Sequence, residues 1–242
     1  MRMWEHQFKR IGVWLMVLWM VSAIPLGVFY AAYWSRVEQL PQSVARYEKR
    51  HGGRWVTVGQ VSPWVIKALV ATEDRSFYTN WGISFSGIGR SVLVDLNTGQ
   101  PTEGGSTLTQ QLVRDALLSP VKEFRRKISE ALLSVLVTAL YSKRQILTCY
   151  LNEVYFGQGA YGIFAASQRY FATVPRALSV PQATLLAGLV QAPTALDPVL
   201  HYEAAKNRQW IVLQSMVADH MLSLQRARSI FRAPLDLRGG SS

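Results

Sequence analysis

The 242-residue sequence is poor in cysteine, histidine and acidic residues, and these shortages restrict its chemistry. Cys149 is the single cysteine, which excludes an internal disulfide and any metal site built from several thiolates. The four histidines are scattered without the spacing of zinc ligands. Charged residues make up only 17% of the sequence and hydrophobic residues 49%, which excludes a disordered chain. The length suits one full-sized domain.

Residues 11–34 contain no charged side chain over 24 positions. A helix of that length spans the ~30 Å hydrocarbon core of a bilayer. The ten residues before it carry three basic side chains and one acidic side chain, which predicts a cytoplasmic N-terminus over residues 1–10. We expect a transmembrane anchor here, with the following chain outside the cytoplasm. A cleaved signal peptide is the alternative, because Val21-Ser22-Ala23 resembles a cleavage site.

The charge of the chain points to a membrane partner. The 26 Lys and Arg outnumber the 15 Asp and Glu, and nine of the eleven net positive charges follow residue 34. A basic chain is expected to meet nucleic acid, acidic lipid or a phosphorylated substrate. An exported basic domain lies against anionic headgroups and is badly placed to meet nucleic acid. We therefore expect membrane phosphates as partners and no nucleic acid.

The hydrophobic pattern beyond the anchor is mainly helical. A polar connector is expected over residues 35–61, with a short strand at 55–58. Ser62-Pro63 predicts a helix start, and Thr107 with Gln110 forms a capping box that starts another helix. We expect a mainly α domain over residues 62–242. Its predicted helices cover 63–72, 108–118, 122–141, 143–154, 181–191 and 204–218.

Two carboxylates stand out as candidates for chemistry. Glu73 follows an apolar helix and precedes Phe77 and Tyr78, so burial is expected to raise its pKa and let it exchange protons. A solvated acidic residue is the ordinary alternative. Glu130 lies within helical reach of Arg126 and Lys127. The basic stretch 114–127 is either a solvated face or a phosphate clamp, and periodicity does not choose between them.

Five sequence blocks, in this order, resemble the signature motifs of the family 51 peptidoglycan glycosyltransferases. The resemblance extends over residues 62–217. The blocks are Glu73–Phe77, Gly105–Gln111, Arg126–Glu130, Lys143–Leu147 with Tyr150–Asn152, and Arg208 with Val212 and Leu213.

This resemblance implies a membrane-bound hexosyltransferase of cell wall biogenesis, on the outer (periplasmic) side of a bacterial inner membrane. It would polymerise lipid II into β-1,4-linked glycan strands with inversion, and undecaprenyl pyrophosphate would leave. The implied fold is a lysozyme-like helical head with a small membrane-associated jaw at about residues 82–103. Implied partners are lipid II, the lipid-linked glycan chain and other cell-wall synthesis or division proteins.

The resemblance also assigns roles to residues. Glu73 would be the general base, and Glu130 the second catalytic carboxylate, orienting cations or helping to hold a divalent ion. No cofactor is required, although many family members use Mg²⁺ or Mn²⁺, and no metal ligand is assigned here. The residues expected to bind substrate are Asp74, Phe77, Ser106, Thr107, Gln111, Arg114, Arg126, Lys127, Asn152 and Arg208.

Several positions depart from the family pattern: Asn80 replaces a usual His, Arg114 a usual Lys, and Thr148 a usual acidic residue. Val190 and Leu196-Asp197-Pro198 also differ from the usual Pro and Tyr-Asn-Pro. These departures keep open a degenerate lipid II-binding scaffold, and a lysozyme-like hydrolase is a further alternative. Only 25 residues follow Val217, so a monofunctional enzyme without a transpeptidase domain is expected. The Ser-x-x-Lys match at residues 119–122 has no Ser-Asp-Asn or Lys-Thr-Gly to complete it.

Overall fold

The computed structural model describes residues 14, 23–84, 87, 89, 105–119 and 123–238. Contacts divide the chain into two units, one up to Gln39 and one from Leu40 onward. In the first unit residues 23–38 are helical. Within the described residues, no helix has both the length and the apolar character needed to cross a membrane. Of the expected anchor, residues 11–13 and 15–22 lie outside the described residues.

The second unit is mainly helical, as predicted from the sequence. Short 3₁₀ helices lie at Val58–Gln60 and Pro175–Ala177, and the β-structure of the described residues is limited to a Tyr155–Tyr161 bridge. The α-helices described in this unit are α1 (Leu40–Arg50), α2 (Pro63–Glu73), α3 (Leu108–Leu117), α4 (Glu123–Leu140), α5 (Lys143–Glu153), α6 (Gly162–Phe171), α7 (Val180–Leu189), α8 (Tyr202–Ala218) and α9 (Leu224–Arg232).

The helices form two groups that meet at the candidate site. In the first group α2, α7 and α8 pack against one another, and α9 lies on α8. Every residue of α7 from Gln182 to Leu189 is buried, as expected for a helix that is apolar on all sides. In the second group α3 packs on α4 and α5, while α1 and α6 both contact α5.

Side-chain caps fix where the helices of the site begin. Thr107 accepts a hydrogen bond from Gln110 N, and Gln110 Oε1 accepts one from Thr107 N, which completes the predicted capping box of α3. The Thr107 hydroxyl also donates to Gly82 O at 2.6 Å. Gly82 has φ +93°, and a Cβ there would lie 2.2 Å from Ser134 O, so only glycine fits this turn.

The structure differs from the prediction over residues 35–61. The expected polar connector contains helix α1, in which Leu40, Val44 and Glu48 are buried. The expected strand at 55–58 is wrong, because the backbone of Val56 bonds to a side chain. Asn152 Oδ1 accepts from Val56 N at 2.9 Å, and Asn152 Nδ2 donates to Val56 O at 2.7 Å. One amide group thus satisfies the backbone groups that a neighbouring strand would pair.

Much of the expected jaw also lies outside the described residues, namely 85, 86, 88 and 90–103.

Candidate active site

Glu73 ends α2 at the junction of the two helix groups. Its side chain is 12% exposed, and Arg208 Nη2 on α8 lies 3.0 Å from Glu73 Oε1. Gln111 Nε2 on α3 donates to the other oxygen, Oε2, at 3.1 Å. Both partners donate hydrogen bonds, so they stabilise the ionised carboxylate that a general base requires. The site thus joins α2, α3 and α8.

The surroundings of Glu73 differ from those expected from the sequence. The neighbouring aromatic residue Phe77 is fully buried in the core, and Tyr78 is 59% exposed. The carboxylate instead contacts a guanidinium and an amide. Gly188 on α7 makes room for the aliphatic stem of Arg208, since a Cβ there would lie 3.1 Å from Arg208 Cγ.

Asp74, beside Glu73, is a buried residue whose carboxylate accepts several hydrogen bonds. Its carboxylate accepts hydrogen bonds from Asn80 Nδ2 at 2.9 Å, from Ser76 Oγ at 3.1 Å and from Leu108 N at 3.2 Å. Burial raises the pKa of Asp74, and these hydrogen bonds oppose the rise. Because Leu108 N is the first free N–H of α3, Asp74 joins the end of α2 to the start of the helix that carries Gln111.

Asn80, which replaces the family's usual His, belongs to the same group of hydrogen bonds around Asp74. Its Oδ1 accepts from Gly82 N at 3.0 Å and from Lys143 Nζ at 3.0 Å. Lys143 Nζ also lies 5.0 Å from the centre of the Phe77 ring. Burial lowers the pKa of Lys143, and the charge of Asp74 opposes the change.

A second cluster of charged residues lies along the first turns of α4. Arg126 Nη1 is 2.7 Å from Glu130 Oε1, and Lys127 Nζ is 3.0 Å from Glu130 Oε2. Lys127 Nζ also donates to Ser106 Oγ at 2.9 Å, just before α3. Glu130 is only 1% exposed, while Lys127 is half exposed. The predicted ion pairs of Glu130 therefore form, with a buried carboxylate and a cation open to solvent.

Arg114 on α3 interacts with the charge of Glu130 in the second cluster. It pairs with Asp115 at 2.8 Å. Burial lowers the pKa of Arg114, but the hydrogen bond and charge of Asp115, with the charge of Glu130, outweigh burial and leave it raised.

The predicted site residues therefore fall into three sets. Glu73, Gln111 and Arg208 are in direct contact, and Ser106, Arg126, Lys127 and Glu130 form the second cluster. Asp74, Phe77, Thr107 and Asn152 form the third set, which is buried, and Arg114 stands apart and pairs with Asp115.

Two further residues, Tyr150 and Lys143, bond to residues of the site and were not predicted from the sequence. Tyr150 OH donates to Gln111 Oε1 at 3.1 Å, and Lys143 holds Asn80. Both lie in the fourth sequence block, but their partners are 39 and 63 positions away, so spacing could not pair them.

Comparison with known proteins identifies related sequences. The family model described as Transglycosylase matches residues 40–217, about three quarters of the chain. Penicillin-binding protein 1A of Aquifex aeolicus (strain VF5) is 37% identical over 184 residues, covering 76% of this chain and 25% of that protein. Penicillin-binding protein 2D of Bacillus subtilis (strain 168) is 35% identical over 207 residues, covering 81% and 30%. The chain spans only about a quarter to a third of the length of these relatives.

A crystal structure of penicillin-binding protein 1A from Haemophilus influenzae is 21% identical, with a TM-score of 0.37 over 54% of this chain and 16% of that one. That similarity is too low to bear on the fold.

Proposed function

The chain belongs to the transglycosylase family, and from that premise we propose that it polymerises lipid II into β-1,4-linked glycan strands and releases undecaprenyl pyrophosphate. It is then a peptidoglycan glycosyltransferase of the cell wall. The observation that carries the proposal is Glu73, a mostly buried carboxylate held between Arg208 and Gln111 at 3.0 and 3.1 Å.

Glu73 is the general base of the proposed reaction. It takes the proton of the 4-hydroxyl of the acceptor sugar, whose oxygen forms a bond with the anomeric carbon of the donor sugar. The bond from that carbon to the pyrophosphate breaks with inversion, and the leaving group keeps the electron pair. Arg208 and Gln111 each donate a hydrogen bond to the carboxylate and so orient it for the proton transfer.

The second cluster stabilises the departing pyrophosphate. Negative charge accumulates on this group in the transition state, and fixed cations nearby lower the barrier. Lys127 is open to solvent and held by Ser106 and Glu130, so its ammonium group is oriented before substrate binds. Arg126 and Arg114 add positive charge at the same place.

The residues around Glu130 do not fit a divalent cation. Each of its carboxylate oxygens already contacts a cationic side chain. Within the described part of the chain, no group of three or more His, Cys, Asp or Glu side chains is placed to hold a metal ion. We therefore propose that Arg and Lys side chains stabilise the negative charge of the leaving group. The proposal requires no cofactor.

The proposal places the chain in a bacterial inner membrane. Residues 11–34 would cross the bilayer, with a cytoplasmic N-terminus and a lysozyme-like catalytic head on the periplasmic side. The jaw at about residues 82–103 would contact the same bilayer. A phosphatase fused after residue 242 should be active and a fluorescent protein fused there dark; the reverse result would contradict this topology.

The proposed activity is tested with the full chain in proteoliposomes supplied with labelled lipid II. We expect wild type to form polymer that a muramidase digests, with and without EDTA. Glu73→Gln should lower the rate about 100-fold or more, because general-base catalysis contributes that much. Glu203→Gln, an exposed acidic change on α8, is the matched control.

Other results would contradict the proposal in distinguishable ways. Polymer formed by Glu73→Gln at the wild-type rate would exclude Glu73 as the base. Lipid II bound by wild type without polymer would indicate a degenerate binding protein. Cleavage of finished peptidoglycan without use of lipid II would indicate a hydrolase.

A further inference from the structure

Tyr150 lies one hydrogen bond behind the amide that contacts Glu73. Its hydroxyl is 3.1 Å from Gln111 Oε1, and Gln111 Nε2 is 3.1 Å from Glu73 Oε2. Tyr150 is only 1% exposed, so bulk water does not replace this contact. Three helices therefore contribute to one chain of hydrogen bonds: α5 supplies the phenol, α3 the amide and α2 the carboxylate.

The direction of each hydrogen bond follows from the chemistry of the groups. An ionised carboxylate only accepts, so Gln111 must present its NH₂ group to Glu73. The Gln111 carbonyl then faces Tyr150, whose hydroxyl must donate. Burial, followed by the negative charge of Glu73, raises the pKa of Tyr150 well above its ordinary value. The phenol therefore keeps the proton that it donates throughout the neutral range.

We propose that Tyr150 is a positioning residue for Glu73, because its hydroxyl donates to the Gln111 carbonyl while the amide NH₂ group donates to the ionised carboxylate, and so stabilises that orientation of the amide. The inference rests on the proposed function, in which Glu73 is the base. Without the hydroxyl, the amide can turn its carbonyl oxygen toward Glu73. Two acceptor oxygens would then face each other, and the ionised carboxylate would lose a donor.

The same phenol also suits the protonated form of Glu73. When Glu73 Oε2 carries the proton from the acceptor sugar, it becomes a donor. The Gln111 amide can then turn so that its carbonyl accepts from Glu73 and its NH₂ donates to the Tyr150 oxygen. A hydroxyl both donates and accepts, so Tyr150 bonds to Gln111 in both states, and phenylalanine does so in neither.

Tyr150→Phe tests the inference, with Tyr170→Phe as the matched control. Tyr170 is also 1% exposed, and its hydroxyl donates to Phe156 O at 2.9 Å, away from Glu73. For Tyr150→Phe we expect kcat to fall about five- to tenfold with KM within about twofold. The acidic limb of the plot of kcat against pH should move to higher pH by about half a unit to one unit. Tyr170→Phe should change neither kcat nor the limb, and equal pH profiles for both variants would overturn the proposal.

A double-mutant cycle separates positioning from a general packing defect. If Tyr150 acts through Gln111, adding Tyr150→Phe to Gln111→Leu should lower kcat no further than Gln111→Leu alone. Independent, multiplicative losses would overturn the proposal.

A third measurement does not depend on turnover. The Glu73 carboxylate is titrated by difference infrared spectroscopy on the full chain, with its band assigned by its loss in Glu73→Gln. Tyr150→Phe should move the midpoint to higher pH, and an unmoved midpoint would overturn the proposal. If wild type makes no polymer but this midpoint moves, the proposed function fails while the positioning role stands.

Discussion

Glu48 on α1 carries a buried carboxyl group whose titration should control stability. It is only 1% exposed, and Glu48 Oε1 has no hydrogen-bond partner among the described residues. Its stem packs tightly against the backbone, since a Cβ on Gly53 would lie 2.6 Å from Glu48 Cγ. Burial raises its pKa from 4.5 to about 7. We therefore choose the substitution Glu48→Gln, which keeps the shape of the side chain and removes its titratable carboxyl group.

The sign of the effect follows from proton binding. Between pH 4.5 and about 7 the folded state binds this proton more strongly than the unfolded state. The free energy of unfolding therefore falls as pH rises through this range. A shift of this size amounts to a loss of about 2 to 3 kcal/mol between pH 5 and pH 8. Glu48→Gln should therefore be more stable, relative to wild type, at pH 8 than at pH 5 by that amount.

The assay is urea unfolding of the full chain in detergent at pH 5 and pH 8, followed by circular dichroism. Glu203→Gln, which removes an exposed carboxyl group on α8, is the control for the loss of one carboxyl group. Glu153 also has its pKa raised to about 7, by burial and then by the charge of Asp115, and it contributes the same slope in every variant. An equal change in the free energy of unfolding at both pH values for Glu48→Gln would show that burial does not raise the pKa of Glu48.

Two other predictions concern the site. Gly188→Ala should push Arg208 Cγ by a few tenths of an ångström and weaken its contact with Glu73, lowering kcat about threefold to tenfold with little change in thermal stability. An unchanged kcat would show that this contact does not position the base. Glu130→Gln leaves Arg126 and Lys127 without their buried counter-charge and should lower kcat/KM at least about tenfold. A rate within twofold of wild type, measured with labelled lipid II, would exclude an orienting role for Glu130.

The helices with regular patterns could be predicted from the sequence. The capping box of Thr107 and the apolar runs located α2, α3, α4, α5, α7 and α8 to within about two residues at most ends. Three helices were missed. In α1 one of the three buried residues is Glu48, which breaks the apolar pattern, and α9 buries only Ala227 and Ile230. The helix α6 starts at Gly162, whose φ of +76° follows a turn rich in glycine.

The candidate site was only partly within reach of sequence analysis. Helical spacing predicted the ion pairs of Glu130 with Arg126 and Lys127, because they lie three and four residues apart. The contact of Glu73 with Arg208 joins residues 135 positions apart, and only tertiary packing brings them together. For the same reason the apolar neighbours of Glu73 in sequence were a poor guide to its neighbours in space.

The central claim is that Glu73 makes this chain a catalyst and not only a binder of lipid-linked substrate. The most direct measurement follows release of undecaprenyl pyrophosphate and binding of lipid II in parallel, for wild type and Glu73→Gln. We predict release only from wild type, at a rate about 100-fold or more above the variant, with lipid II affinities within about twofold. Equal release from both proteins, or binding without release by wild type, would contradict the claim.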